Sequence, residues 1–147
     1  INGPLYDGRK ESRSRLIFNI SLRERVFFPC LRRPYISLYQ EVRPFDIYAM
    51  KENEILAEKI RAVYQREKAR DVYDIWYLLM VKKVPVDFKL VQKKLSYINL
   101  NFSEEIFFKK IQEKKNSWQR DLAALISGQL LPFSQAEEEI KQGVFGV

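Results

Sequence analysis

Histidine does not occur anywhere in the 147 residues. Its absence removes Ser-His-Asp and Cys-His catalysis, His-ligated metal centres and His-dependent ribonuclease chemistry from what this chain can do by itself. Cysteine is represented once, by Cys30. An intrachain disulfide and a cysteine-based zinc cluster are thereby excluded, and a reducing cytoplasm is the compartment that fits. No apolar run approaches the roughly 18 residues that a membrane-crossing helix needs, and no secretory signal is visible at the amino end. Internal repeats, heptad runs and low-complexity linkers are missing too. Carboxylate, lysine and arginine chemistry is what remains.

The residues present describe a globular chain. Hydrophobic residues make up 46% and aromatics 14%, enough for one domain with a core and too little chain for two well-formed ones. Lysine and arginine number 26 against 19 aspartate and glutamate, a formal net charge of +7. Such an excess suits a polyanionic partner, nucleotide or RNA.

The stretch from Glu52 to Met80 reads ENEILAEKIRAVYQREKARDVYDIWYLLM. At about 100° per residue its first half is a helix whose apolar face carries Ile55, Leu56, Ile60 and Val63, with Ala62 at the edge. Glu54, Ala57, Glu58, Arg61 and Gln65 take the solvent side. Lys59 falls in the middle of the apolar stripe, where an ammonium needs a carboxylate or an anionic ligand as partner. A second helix, beginning near Ala69, sets Val72, Ile75, Trp76, Leu79 and Met80 on one arc. Asp71 and Asp74 lie three residues apart on a neighbouring face. Folding the pair antiparallel about Arg66 to Ala69 is expected to gather Lys59, Arg66, Asp71 and Asp74. Periodicity alone leaves two readings open: an ion-pair brace for a helical hairpin, or a functional cluster.

The order Lys59, then Arg66, Lys68, Arg70 and Asp71, then Asp74, preceded by EILAEK and followed by IWYLL, resembles the C-terminal signature of the AbiEii/AbiGii toxin family of nucleotidyltransferases. The specific match spans roughly 30 residues, and softer similarity extends over most of the chain. The resemblance implies a polymerase-β-like nucleotidyltransferase of a toxin-antitoxin, abortive-infection system. Lys59, Asp71 and Asp74 would be its catalytic residues here, and Lys59, Arg66, Lys68 and Arg70 its nucleotide-binding residues. NTP and magnesium are the implied cofactors. A tRNA or other RNA, or a protein, is the implied acceptor, and a cognate antitoxin the implied partner. The family's upstream Gly-Ser nucleotide loop and acidic pair have no counterpart: Asp7-Gly8 is a turn dipeptide, and no DxD or ExD precedes the hairpin. With a first residue, Ile1, that is not methionine, the expectation is a C-terminal portion of a longer enzyme, inactive alone, with no metal ligands assigned.

The expected fold class is α+β, a small antiparallel sheet followed by a mainly helical C-terminal region. Residues 1–50 form a β-rich part completing a nucleotidyltransferase core, and 51–147 a helical region, together one domain. Strands are expected at Ser14 to Ser21, Tyr35 to Gln40 and Pro44 to Met50, with a short extended piece at Val26 to Phe28. Two to four strands would pack an apolar face on the hairpin. Pro85 and Asp87 open a helix to about Ile98, its Lys89, Gln92, Lys93 and Lys94 forming a solvated face. Ser103 caps the next helix, which breaks near KKNSW. Trp118 to Ser127 reads as a helix ended by Gly128, with Trp118, Leu122 and Leu125 in the core. Ser134 and Glu137 match a capping box for a last helix, followed by a GVFGV tail.

A rival reading from another class is a basic, non-catalytic helical module that binds RNA or protein. Its surface would be the pairs Arg23/Arg25, Arg32/Arg33, Lys82/Lys83, Lys93/Lys94, Lys109/Lys110 and Lys114/Lys115. A plain structural domain braced by the charged elbow is the third.

Overall fold

The computed structural model describes residues 7–12, 20, 25–38 and 41–146. Most of the strand expected at Ser14 to Ser21, and Arg23, lie outside them. The architecture is α+β and mostly helical, as expected.

Two strands, β1 (Leu31–Tyr35) and β2 (Phe45–Ala49), form an antiparallel ribbon in which Leu31 faces Ala49 and Tyr35 faces Phe45. The Tyr35 and Phe45 rings meet at 5.1 Å, and Arg32 forms an ion pair with Asp46. Pro34 sits within β1, which a ribbon with a free edge tolerates. The strand expected at Tyr35 to Gln40 is therefore displaced: it ends where it was expected to start. Alternation in YISLYQ was a local signal, whereas pairing with β2 set the real register. Both faces of the ribbon are exposed, so its apolar side does not pack on the hairpin. Val26 to Phe28 is irregular and not a strand.

The helical part is organised by α1 (Glu52–Gln65) and α2 (Ala69–Trp76), separated by a three-residue elbow. From α2 the chain runs on as a π-helical turn, Tyr77–Val81, closed by Lys82 N–H donating to the Tyr77 carbonyl at 3.0 Å. Next come α3 (Phe88–Ser96), capped by Asp87 at the Leu90 amide (3.0 Å), and α4 (Glu104–Gln112), capped by Ser103 at Ile106. A 3₁₀ turn at Lys115–Ser117 leads into α5 (Trp118–Leu122), and α6 (Phe133–Phe145) ends the described chain. Helix α1 packs against α2, α3 and α4, while α2 packs against α5 and α6. The hairpin is thus the centre of the bundle. Its core joins Leu56, Ile60 and Val63 to Val72, Ile75, Val91, Leu95, Phe107, Ile111 and Ile140.

Several local expectations are corrected by this packing. Glu54, Ala57 and Arg61, assigned to solvent, are buried because α3 and the segment before β1 cover that side of α1. Lys94 and Lys114, counted among the solvated basic pairs, are buried as well. Helix α5 stops at Leu122 instead of reaching Ser127, leaving Leu125 exposed. Pro132, not Ser134, is the cap of α6, since the fixed φ of proline suits a helix start. The GVFGV segment is helical as far as Phe145, with Val144 buried and Gly146 closing the helix at φ 70°. Gly143 is held to its small size by close approach: a Cβ there would lie 3.2 Å from Leu79 Cβ.

Candidate functional site

The elbow carries the charged residues of interest. Arg66 and Lys68 are extended, so α1 ends and α2 starts without any side-chain cap from the neighbouring residues. The cap of α2 comes from a distance, through Asp121 on α5, whose carboxylate accepts from the Ala69 amide at 3.3 Å. That contact, with a further bond from Arg120, holds the Asp121 carboxyl below the usual carboxylate range.

Lys59 reaches across the hairpin to both aspartates. Its ammonium lies 3.0 Å from Asp71 Oδ1 and 2.6 Å from Asp74 Oδ2. Asp71 is almost wholly buried, Lys59 is 29% exposed and Asp74 is 41% exposed, so the trio grades from interior to surface. Burial opposes the lysine charge, but the two carboxylates outweigh it and raise its pKa above 10.5. Asp71 sits in the first turn of α2, where the helix dipole favours a negative charge. Its second oxygen, Oδ2, is buried without a hydrogen-bond partner among the described residues.

The expected grouping of Lys59 with Asp71 and Asp74 is therefore present, and Arg66 stands apart from it. Arg66, Lys68 and Arg70 are exposed around the elbow, and none of them has an ion pair among the described residues. Arg66 itself is the extended residue that ends α1, its N–H donating to the Ala62 carbonyl. This arrangement combines one pinned ammonium with three exposed cations, a pattern able to hold a flexible polyanion such as a triphosphate.

A second buried ion cluster was missed by sequence reasoning. Lys94 on α3 contacts Glu54 at 2.7 Å and Glu58 at 2.8 Å, and donates to the Arg25 carbonyl at 3.0 Å. Glu54 also accepts the amides of Phe27 (2.7 Å) and Phe28 (3.0 Å). Burial opposes both charges, yet these bonds hold the Glu54 carboxyl below 4.5 and raise Lys94 above 10.5. The signal was in the spacing: Lys94 lies on the Leu90, Val91, Leu95 stripe much as Lys59 lies on its own, and Glu54 and Glu58 are one turn apart. The cluster ties the segment before β1 to the helices.

Among the described residues no three His, Cys, Asp or Glu side chains gather into a cation site. The donor set thus does not fit magnesium: Lys59 already occupies one oxygen of Asp71, and the other faces the protein interior.

A family model described as "Nucleotidyl transferase AbiEii toxin, Type IV TA system" matches residues 6–139. No curated protein and no solved structure matches the chain.

Proposed function

Because this chain belongs to the AbiEii nucleotidyl transferase toxin family, we propose that its charged hairpin forms the phosphate-binding side of an NTP site. In this reading Lys59 contacts the triphosphate. Arg66, Lys68 and Arg70 neutralise its remaining charge, and Asp71 and Asp74 hold the Lys59 ammonium in place. The carrying observation is the double ion pair of Lys59 with Asp71 (3.0 Å) and Asp74 (2.6 Å) beside three exposed, unpaired cations. Nucleotidyl transfer builds negative charge on the departing pyrophosphate, and fixed cations stabilise that charge without reorganising. A lysine held from two sides is already oriented for this.

The acceptor we infer is an RNA, tRNA included, or a protein, within a cytoplasmic toxin-antitoxin pair in which a cognate antitoxin opposes this chain. The net charge of +7 supports a nucleic-acid acceptor over a protein one. No helix among the described residues is long and apolar enough to cross a membrane.

The test is calorimetric titration of magnesium NTP into the full-length protein carrying this chain, beside two variants. Asp74→Asn loosens Lys59 while leaving buried Asp71 its partner, and is expected to weaken binding several-fold. Arg66→Ala/Lys68→Ala/Arg70→Ala removes exposed charge alone and is expected to weaken binding at least tenfold, with a shallower salt dependence. Binding at wild-type strength in both folded variants would rule the reading out.

A further inference from the structure

Helices α4 and α6 leave an open groove of about 610 Å³ between them, walled by Glu104, Glu105 and Phe108 on one side and by Glu137, Glu138 and Lys141 on the other. On each helix these positions recur at three- and four-residue spacing, so each wall is one continuous helix face. Gln112, one turn beyond Phe108, donates to Glu137 and joins the two helices. From Glu104 to Gln112 the α4 wall runs about 12 Å at 1.5 Å per residue, the length of two helical turns. The apolar member is Phe108, half-buried, its ring set against those of Phe107 (5.4 Å) and Phe145 (6.0 Å). The groove therefore offers a fixed aromatic surface flanked by carboxylates.

Its charge runs against that of the chain. The protein carries a formal +7, yet here four carboxylates face one ammonium, that of Lys141. Elsewhere the fold pairs its acidic side chains: Asp71 and Asp74 hold Lys59, Glu54 and Glu58 hold Lys94, Glu113 holds Lys110 and Asp46 holds Arg32. Glu104, Glu105 and Glu138 are exposed, and none of them forms an ion pair among the described residues, with Lys141 or with any other cation. The first turn of α4 favours Glu104 and Glu105 through the helix dipole. That reason does not extend to Glu137 and Glu138, which stand in the middle of α6.

We propose that this groove docks a basic amphipathic helix of a partner protein, with an apolar side chain of the partner on the Phe108 ring and its lysines or arginines on Glu104, Glu105 and Glu138. Charge complementarity selects the occupant: unpaired carboxylates attract a cationic segment and repel a nucleic acid. The aromatic surface selects further, because an apolar anchor seated beside charged contacts is how a helix is held in a groove. A polyamine satisfies the carboxylates but brings no side chain to the ring. The groove is formed by helices that do not carry the Lys59 cluster, and the proposal stands whether or not an NTP binds at the hairpin.

The experiment is amide chemical-shift mapping and calorimetry on the full-length protein with four probes: a synthetic lysine–leucine amphipathic helical peptide, the same peptide with serine for leucine, the same peptide with glutamate for lysine, and spermine. Saturable binding of the lysine–leucine peptide is expected, with shifts centred on residues 104–108 and 134–141 and affinity falling as salt rises. The serine peptide and spermine are expected to bind at least tenfold more weakly, and the glutamate peptide not at all. Glu104→Gln/Glu105→Gln/Glu138→Gln, three exposed changes, is expected to lower affinity at least tenfold. Lys141→Glu adds a carboxylate to the wall and is expected to raise it several-fold. The proposal fails if the lysine–leucine peptide does not bind, if its shifts lie outside the groove, or if both variants bind it unchanged. Spermine binding as tightly as the peptide would overturn it in favour of a polyamine site. Self-association in sedimentation that the triple variant abolishes would overturn it in favour of a second copy of this chain. None of these results bears on NTP binding at the hairpin, which the Arg66, Lys68 and Arg70 variants test separately.

Discussion

The Lys94 ammonium rests 2.7 Å from Glu54 Oε1, with both side chains closed off from solvent. Neither residue touches the Lys59 cluster, yet this contact joins α1, α3 and the segment preceding β1 through the Arg25 carbonyl and the Phe27 and Phe28 amides. Removing one partner leaves the other charge stranded. Lys94→Met is expected to cost about 3–5 kcal/mol in urea denaturation, and the Lys94→Met/Glu54→Leu double variant much less than the sum of its singles. Amide exchange at Phe27 and Phe28 should quicken in Glu54→Leu, since their acceptor is gone. Additive losses would show that the two side chains do not act as a pair.

The same groups set a pH window. Glu54 has its folded pKa lowered below 4.5, so its contribution is complete above that value and is lost as pH falls through the folded pKa. Lys59 and Lys94 have folded pKa values raised above 10.5, so theirs is complete below 10.5 and is lost as pH rises through the folded values. Thermal denaturation followed across pH should therefore give a plateau of Tm between these limits and a fall on each side. Glu54→Gln should lower the plateau and flatten the acid limb. An acid limb unchanged in that variant would remove Glu54 as its source.

Around Lys59 the grading of exposure separates the two aspartates. Lys59→Met strands buried Asp71 and is expected to cost about 2–3 kcal/mol, less than for a fully buried pair because solvent screens part of the site. Asp74→Asn, at the exposed end, is expected to cost about 1 kcal/mol or less. Lys59→Met/Asp71→Leu should recover most of the first loss. Equal costs for Lys59→Met and Asp74→Asn in chemical denaturation would contradict this ordering.

Much of the geometry around Lys59 is legible in the sequence. Lys59 on an apolar stripe and Asp71 and Asp74 one turn apart are facts of helical spacing, and helix α1 ends and α2 begins where the charged run interrupts the periodicity. The isolation of Arg66 was not legible, because it depends on the extended backbone of the elbow. Lys94 and Lys114 were misread as surface charge for a related reason: a lysine's sequence neighbours show which face of a helix it shares, but not which element covers that face. The ribbon failed differently. Leu31–Tyr35, LRRPY, shows no apolar alternation and contains Pro34, and it is the pairing with β2 that makes it a strand.

The sequence by itself determined the α+β class, the helical hairpin, the Asp87 and Ser103 caps and the meeting of Lys59 with its aspartates, because each rests on interactions within one helix or between adjacent ones. Tertiary structure alone decided which charges are buried and how Asp121 caps α2. Those outcomes join residues 26 to 69 positions apart, such as Phe28 with Glu54 and Arg25 with Lys94. Local periodicity has no reach over such separations, whereas the free energy of a buried charge depends on whatever the fold brings within a few ångströms.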